Sequence, residues 1–223
     1  MKESTPHRRK QWKHLKVIYK MKKVYLYGAS GHAKVIIDAL CASGYKVNGL
    51  FDDNLELTQL LDYPVLGAFN ESRLGSSELI ISIGINSIRK RLVESLPTKV
   101  SFATAIHPSS IISPQASILY GTVVMQGAII QSDSKIGKHC IINTGSTIDH
   151  DCLIDDYVHI SPNATLCGNV SVGQGSQIGA GAVVIPGIKI GKWSIIGAGS
   201  VVIKDIPDNV VVAGNPARII KRV

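Results

Sequence analysis

Aromatic side chains are scarce in this chain: 3 Phe, 2 Trp and 7 Tyr stand among 223 residues. A core of stacked rings is thereby excluded, and the interior has to be built from aliphatic and small residues. Cysteine is also rare. Cys41, Cys140, Cys152 and Cys167 form no C-x-x-C pair, so they are read as reduced thiols packing like small hydrophobes. No apolar run is long enough for a signal peptide or a membrane span, and the expected compartment is cytoplasmic. Acidic residues are few, 16 against 24 Lys and Arg, for a formal net charge of +8. Seven of those basic residues and only one acid, Glu3, fall within residues 1–20, leaving 17 basic and 15 acidic side chains elsewhere. The basicity belongs to a tail whose composition predicts disorder, not to a groove for nucleic acid. Met21 opens a clean strand pattern and reads as an alternative start.

What is abundant is a period of six. From Ile106 an aliphatic residue recurs at 112, 118, 124 and every sixth position to Val202, without a break. On an α-helix such a spacing advances by about 240° and forms no stripe. On an extended chain six is a multiple of two, so every aliphatic points to one side. The fifth place of each hexad is mostly small, as at Ser110, Ala116, Thr122, Ala128, Ser134, Cys140, Ser146, Cys152, Ala164, Ser176, Ala182, Ser194 and Ser200. The pattern predicts a narrow coil of short strands, with Gly137, Gly173, Gly179, Gly191 and Gly197 supplying its corners.

Residues 21–105 read differently. Lys23–Tyr27 is a predicted strand, 31–42 a helix, 47–51 a second strand, 78–83 a third and 86–96 a second helix, which together imply a small parallel α/β sheet. Three polar turns follow the strands: Gly28–His32 in "YGASGH", Asp52-Asp53, and Gly84–Ser87. Ligands of open α/β sheets bind at that edge. The first turn offers backbone N–H groups and a helix N-terminus to an anion. The two acids come at the spacing of a ribose or base contact. The turn is not the full G-x-G-x-x-G, and a reading in which Gly28 and Gly31 serve only tight packing stays open.

The hexads "IGKHCI", "VGQGSQIGAGAVV" and "IGKWSIIGAGSVV" resemble the left-handed parallel β-helix of hexapeptide-repeat acyltransferases. Together with "YGASGH", "DD", "SIGIN", "NTGSTIDHDCLIDDYVHISPNATLCGNV" and "AGNPAR", the chain resembles the PglD/NeuD family of nucleotide-sugar acetyltransferases over residues 21–223. The resemblance implies an α/β nucleotide-sugar-binding domain at 21–105, a β-helical acetyltransferase domain at 106–203 and a closing segment at 204–223. It also implies a homotrimer with sites between neighbouring prisms, acetyl-CoA as cosubstrate, no metal, and a nucleotide-linked 4-amino sugar as acceptor.

Acetyl transfer from a thioester to an amine needs a group to take the proton and a donor for the oxyanion. Of His107, His139, His150 and His159, the resemblance points to His150 as general base. Asp151 would be its carboxylate partner, standing where the family has Glu, and the Gly168 backbone N–H would be the oxyanion donor. His159, Asn143, Ala180 and Ala198 match CoA contacts, and Arg218 is a further candidate. Ser30, Gly31 and His32 match the diphosphate site, Asp52 and Asp53 the base and ribose contacts, and Gly84 and Ser87 the pocket closure, with Arg89 as a diphosphate partner. His107 and His139 are read as structural or surface residues. Three rivals remain: a zinc hydrolyase on the same coil, for which no H-x₄-H is present, an O-acetyltransferase acting on sialic acid or another sugar hydroxyl, and a non-catalytic trimeric scaffold that binds nucleotides.

Overall fold

The computed structural model describes residues 22–223, and the basic segment 1–20 lies outside them. Strand β1 (Lys23–Tyr27) leads into helix α1 (Gly31–Ala42) and strand β2 (Lys46–Phe51). A two-residue hairpin follows, β3 (Gln59–Leu60) and β4 (Tyr63–Pro64), then the single turn α2 (Glu71–Leu74), strand β5 (Glu78–Ile81) and helix α3 (Asn86–Ser95). β1 is central, with β2 and β5 parallel to it on either side. The third strand stops at Ile81, two residues before its apolar run ends, because Ser82 turns its hydroxyl back onto the carbonyls of Tyr27 and Gly28. Ala33, Ile36, Ile37 and Leu40 are the buried stripe of α1, at the spacing of one helix face.

From Ala105–Ile106 to Val201–Val202, seventeen two-residue strands follow at the predicted interval. They stack in parallel into three sheets, each strand pairing with the one eighteen residues away. Face I runs through 105, 123, 141, 159, 177 and 195. Face II runs through 111, 129, 147, 165, 183 and 201, and face III through 117, 135, 153, 171 and 189. An antiparallel pair, Val210–Ala213 with Arg218–Arg222, closes face I. The second residue of each strand points inward, and from Val124 to Val202 all of these are buried. Each contributes about 1.5–3 kcal/mol on full burial.

The small fifth places are buried as well from Thr122 on, and their polarity is matched. Ser134, Ser176 and Ser194 donate their hydroxyls to carbonyls of the next coil at 2.6–2.7 Å. Cys140 and Cys152 fill the same station, with Sγ 3.1 and 3.3 Å from the carbonyls of Asp155 and Cys167. Thiol and hydroxyl are interchangeable here because both are small donors.

The glycine reading needs correction. Gly137, Gly173, Gly179, Gly191 and Gly197 do not have positive φ. They are glycines because the next coil lies too close: a Cβ on Gly179 would stand 2.5 Å from the carbonyl oxygen of Ile196. The left-handed corner comes two places later in each hexad, at Gly121, Gly127, Asp133, His139, Gly145, Asp151, Tyr157, Asn163, Asn169, Gly175, Gly181, Gly187, Trp193 and Gly199. Gly, Asn and Asp tolerate that conformation, whereas bulky residues rarely do.

The α/β unit sits on face I. Val123 and Ile141 are outward-facing there yet buried, sharing a cluster with Ile36, Ile37 and Met125. Helix α3 rides the corner between faces III and I. Arg89 is 1% exposed and donates all five N–H groups: Nε to the His139 carbonyl, one terminal nitrogen to the carbonyls of Ile83 and Gly84, and the other to Asn86 Oδ1 and the Tyr157 carbonyl. Asn86 Nδ2 donates to the carbonyls of Gly175 and Ser176. His139, walled by Phe102, Tyr120 and Tyr157, lies beneath this tie with both ring nitrogens unpartnered. Among the described residues no helix is long and apolar enough to cross a membrane.

Three histidines, His139 buried and His32 and His159 half-buried, make the fold sensitive to acid. Burial first, and the Arg89 charge second, lower His32 to about 4, His139 to about 4 and His159 to about 3. The unfolded chain takes up these protons near pH 6.5 and the folded chain does not. Stability held by the neutral rings is therefore whole above pH 6.5 and falls as pH drops towards 4, by about 1.4 kcal/mol per pH unit per ring. Urea unfolding between pH 7.5 and 4.5 should show this slope, and His139→Phe should flatten it.

Candidate active site

The carboxyl edge of the α/β sheet faces the surface of face I just beyond the buried contact. At the first turn Ser30 and Gly31 are exposed at the start of α1, and Ser30 makes no side-chain cap. A Cβ on Gly31 or Gly84 would meet nothing within 4 Å, and neither residue has positive φ. Nothing within the chain requires glycine at either place, which leaves the backbone open to a ligand. Gly28 differs: its φ of 111° and a virtual Cβ 2.5 Å from Ile83 Cδ1 account for it by conformation and packing.

Asp52 accepts the Ala29 N–H at 2.6 Å and the Asn54 N–H at 2.9 Å, so it joins the first two turns. Asp53 accepts the Tyr27 hydroxyl at 2.7 Å. Both line a cavity of about 230 Å³ with Gly28, Ile83 and Arg91. Arg91 was not foreseen. Arg89, expected at a diphosphate, has no N–H left for one, and its interior position shows why: a helix directed onto the solenoid buries this face of the "IRKR" run, while Arg91 remains outside.

A larger cavity, about 430 Å³, lies between the start of α3 and face I. Gly84 and Ser87 line it on one side, His159, Gln177, Trp193 and Ile195 on the other. His159 Nε2 is 3.1 Å from Asn143 Nδ2, and its ring stands 6.3 Å from that of His32. His32 Nε2 and His159 Nδ1 are buried without partners. Burial keeps both rings neutral, so His159 Nε2 can accept a hydrogen bond from the Asn143 amide.

His150, Asp151 and Gly168 lie elsewhere, at the corner between faces II and III. The exposed imidazole has Nδ1 2.8 Å from Asp151 Oδ2, with Asp151 in the left-handed corner conformation, φ 59°. Its pKa is raised, first by the hydrogen bond to Asp151 and then by the charge of Asp149. With Nδ1–H held by the carboxylate, Nε2 is left to accept. One coil on, a Cβ at Gly168 would stand 2.7 Å from that Nε2, so glycine is what lets the ring lie over this backbone. The N–H groups of Gly168, Ala180 and Ala198 have no hydrogen-bond partner among the described residues. Arg218 is exposed at the start of the last strand. No group of three His, Cys, Asp or Glu among the described residues is placed to hold a metal ion.

Within one chain these groups form two separate sets. The corner with His150 is the one opposite face I, where His159 lies, and the buried prism core fills the space between. Asn143, Ala180 and Ala198 line the corner between faces I and II. Face II connects the two corners, and its outward residues are Ile111, Ile129, Thr147, Thr165, Val183 and Val201, none of them charged.

The family profile of the PglD N-terminal domain matches residues 23–96, and that of the bacterial transferase hexapeptide (six repeats) matches 133–168 and 169–204. The solved structure of a perosamine N-acetyltransferase from Caulobacter crescentus, in complex with CoA and GDP-perosamine, is 40% identical, covering 89% of this chain and 97% of that one with a TM-score of 0.85. The acetyltransferase domain of PglB from Neisseria gonorrhoeae, in complex with acetyl coenzyme A, is 36% identical, covering 90% and 100% with a TM-score of 0.83. UDP-N-acetylbacillosamine N-acetyltransferase of Bacillus subtilis is 49% identical over 105 residues, 44% of this chain and 49% of that protein. The chain covers less than half the length of the curated relatives it matches.

Proposed function

Because the chain belongs to the PglD-type family of hexapeptide-repeat sugar acetyltransferases, we propose that it moves an acetyl group from acetyl-CoA to the amine of a nucleotide-linked 4-amino sugar. The observation that carries this reading is the His150–Asp151 pair lying over Gly168. The neutral amine attacks the thioester carbonyl carbon and a C–N bond forms. The oxyanion takes a hydrogen bond from the Gly168 N–H, and His150 Nε2 takes the amine proton. Collapse breaks the C–S bond, and the imidazolium returns the proton to the departing thiolate. No acyl-enzyme is required, and neither Cys152 nor Cys167 has a role in it.

The two sets of residues meet in a trimer. If three prisms turn their uncharged face II towards a common axis, the II/III corner of each copy lies against the I/II corner of the next. His150 and Gly168 of one copy then border a groove with Asn143, His159, Ala180 and Ala198 of its neighbour. The free N–H groups of Ala180 and Ala198 suit the amide carbonyls of a pantetheine arm. In this reading the α/β unit holds the nucleotide: Asp52 and Asp53 at base and ribose, Ser30, Gly31 and His32 at the diphosphate, and Gly84 and Ser87 at the pocket mouth.

The test is release of CoA from acetyl-CoA against a panel of UDP- and GDP-linked amino sugars, with the product weighed by mass spectrometry. A gain of one acetyl group on the sugar nitrogen is expected. Acetylation on oxygen would move the reading to a hydroxyl acceptor, and no release from any sugar would leave a binding scaffold.

A further inference from the structure

The corner between faces III and I carries an aromatic column whose members have different fates. His139 and Tyr157 stack at 5.4 Å beneath the α/β unit. Gly175 interrupts the column, and Trp193 comes last. The Trp193 ring lies flat against Gly175, where a Cβ would stand 2.3 Å from ring carbons. It is only partly buried and lines two adjoining spaces: the 430 Å³ cavity with Ser87 and His159, and a cleft of about 370 Å³ with Ser87, Lys90 and Arg91. Arg91 in turn borders the cavity of Asp52 and Asp53. One trough therefore runs from the two aspartates, past Arg91 and Ser87, to Trp193 and His159.

Trp193 sits there against its backbone preference. Its φ is 54°, in a station held in other coils mostly by Gly, Asn or Asp. A bulky residue in that region is strained, so the ring, not the turn, accounts for the residue. Unlike His139 and Tyr157, it is not covered by the α/β unit.

Resting on the function proposed above, we propose that Trp193 is the platform for the pyranose ring of the sugar substrate, a specificity-determining contact. The pocket is two-sided as a pyranose is. Trp193, Ile85 and Ile195 offer an apolar wall to the C–H face of the sugar, while Ser87, Gln177 and His159 offer polar groups to its substituents. In this placement the ring lies at the end of the trough nearest His159, whose ring stands 6.3 Å from that of His32 in the proposed diphosphate site.

The chain has two tryptophans, Trp12 and Trp193, so in a Trp12→Phe background fluorescence reports on Trp193 alone. Titration with GDP-perosamine and a UDP-linked 4-amino sugar is expected to change the emission, and GDP, UDP and CoA are not. An equal change with a bare diphosphate or with CoA would overturn the proposal, as would no change with a sugar nucleotide that the enzyme acetylates. Trp193→Asn suits the left-handed corner, so Tm should hold or rise while KM for the sugar nucleotide rises roughly tenfold. KM for acetyl-CoA should stay within about twofold, and Trp193→Phe should restore most of the loss. A lowered Tm with unchanged KM would make the ring a packing element and end the proposal. No CoA release by the wild-type protein with any sugar nucleotide would instead remove the activity itself, and the platform with it.

Discussion

His150→Ala is expected to lower kcat by about 10²–10⁴-fold while leaving KM for acetyl-CoA and the unfolding midpoint close to wild type. The side chain is exposed and its sole side-chain partner among the described residues is Asp151, so its removal opens no cavity. The hydrogen bond to Asp151 and the charge of Asp149 hold the imidazole above its ordinary pKa. The rate should accordingly rise with pH through a histidine limb displaced upward, and Asp151→Asn should return that limb towards the ordinary value and slow the reaction. If the groove is shared between copies, a co-refolded mixture of His150→Ala and His159→Ala chains should recover part of the activity lost in each. Retained turnover in His150→Ala, or a limb unmoved by Asp151→Asn, would remove this residue from the chemistry.

Arg89→Met is expected to destabilise the protein by about 3–5 kcal/mol, a fall in Tm of about 10 °C. Burial lowers the guanidinium to about 10, so it is still charged at neutral pH, and no carboxylate balances it. Five acceptors do so instead, drawn from α3, the turn before it and two coils of the solenoid. Relief of one desolvated charge offsets only part of their loss. Arg89→Lys should recover little, because three N–H groups on one nitrogen cannot reach acceptors spread around a planar fork. Guanidinium unfolding of the two variants measures this. A normal midpoint with a raised KM for the sugar nucleotide would return Arg89 to the diphosphate.

The period of six was legible because it is a local rule repeated in every coil: Ile136, Ile142 and Ile148 obey it in one stretch of sequence as they do in the fold. The central α/β elements were legible for the same reason, the bounds of α1 and the apolar run of β5 being properties of a few neighbouring residues. The hairpin Gln59–Pro64 was not, since its two-residue strands carry no pattern of their own. The hexad was also only partly read. Glycines after each aliphatic are conspicuous, while the left-handed station two places after them, where Trp193 departs from Gly and Asn, is set by the backbone of the corner.

The candidate site divides in the same way. His150 and Asp151 are adjacent in sequence, and so their 2.8 Å pairing was readable there. Arg89 and Arg91 are two residues apart and look alike, and only the docking of α3 buried one and left the other on the trough. Asn86 meets Gly175 across 89 residues, a contact that nothing in either local pattern announces. By itself the sequence determined the coil and the small α/β sheet, because each depends on spacing within a dozen residues. The tertiary structure alone decided which corners carry which groups, and that one chain holds His150 apart from the cavity at His159, because those depend on how the coil winds and on what packs against it.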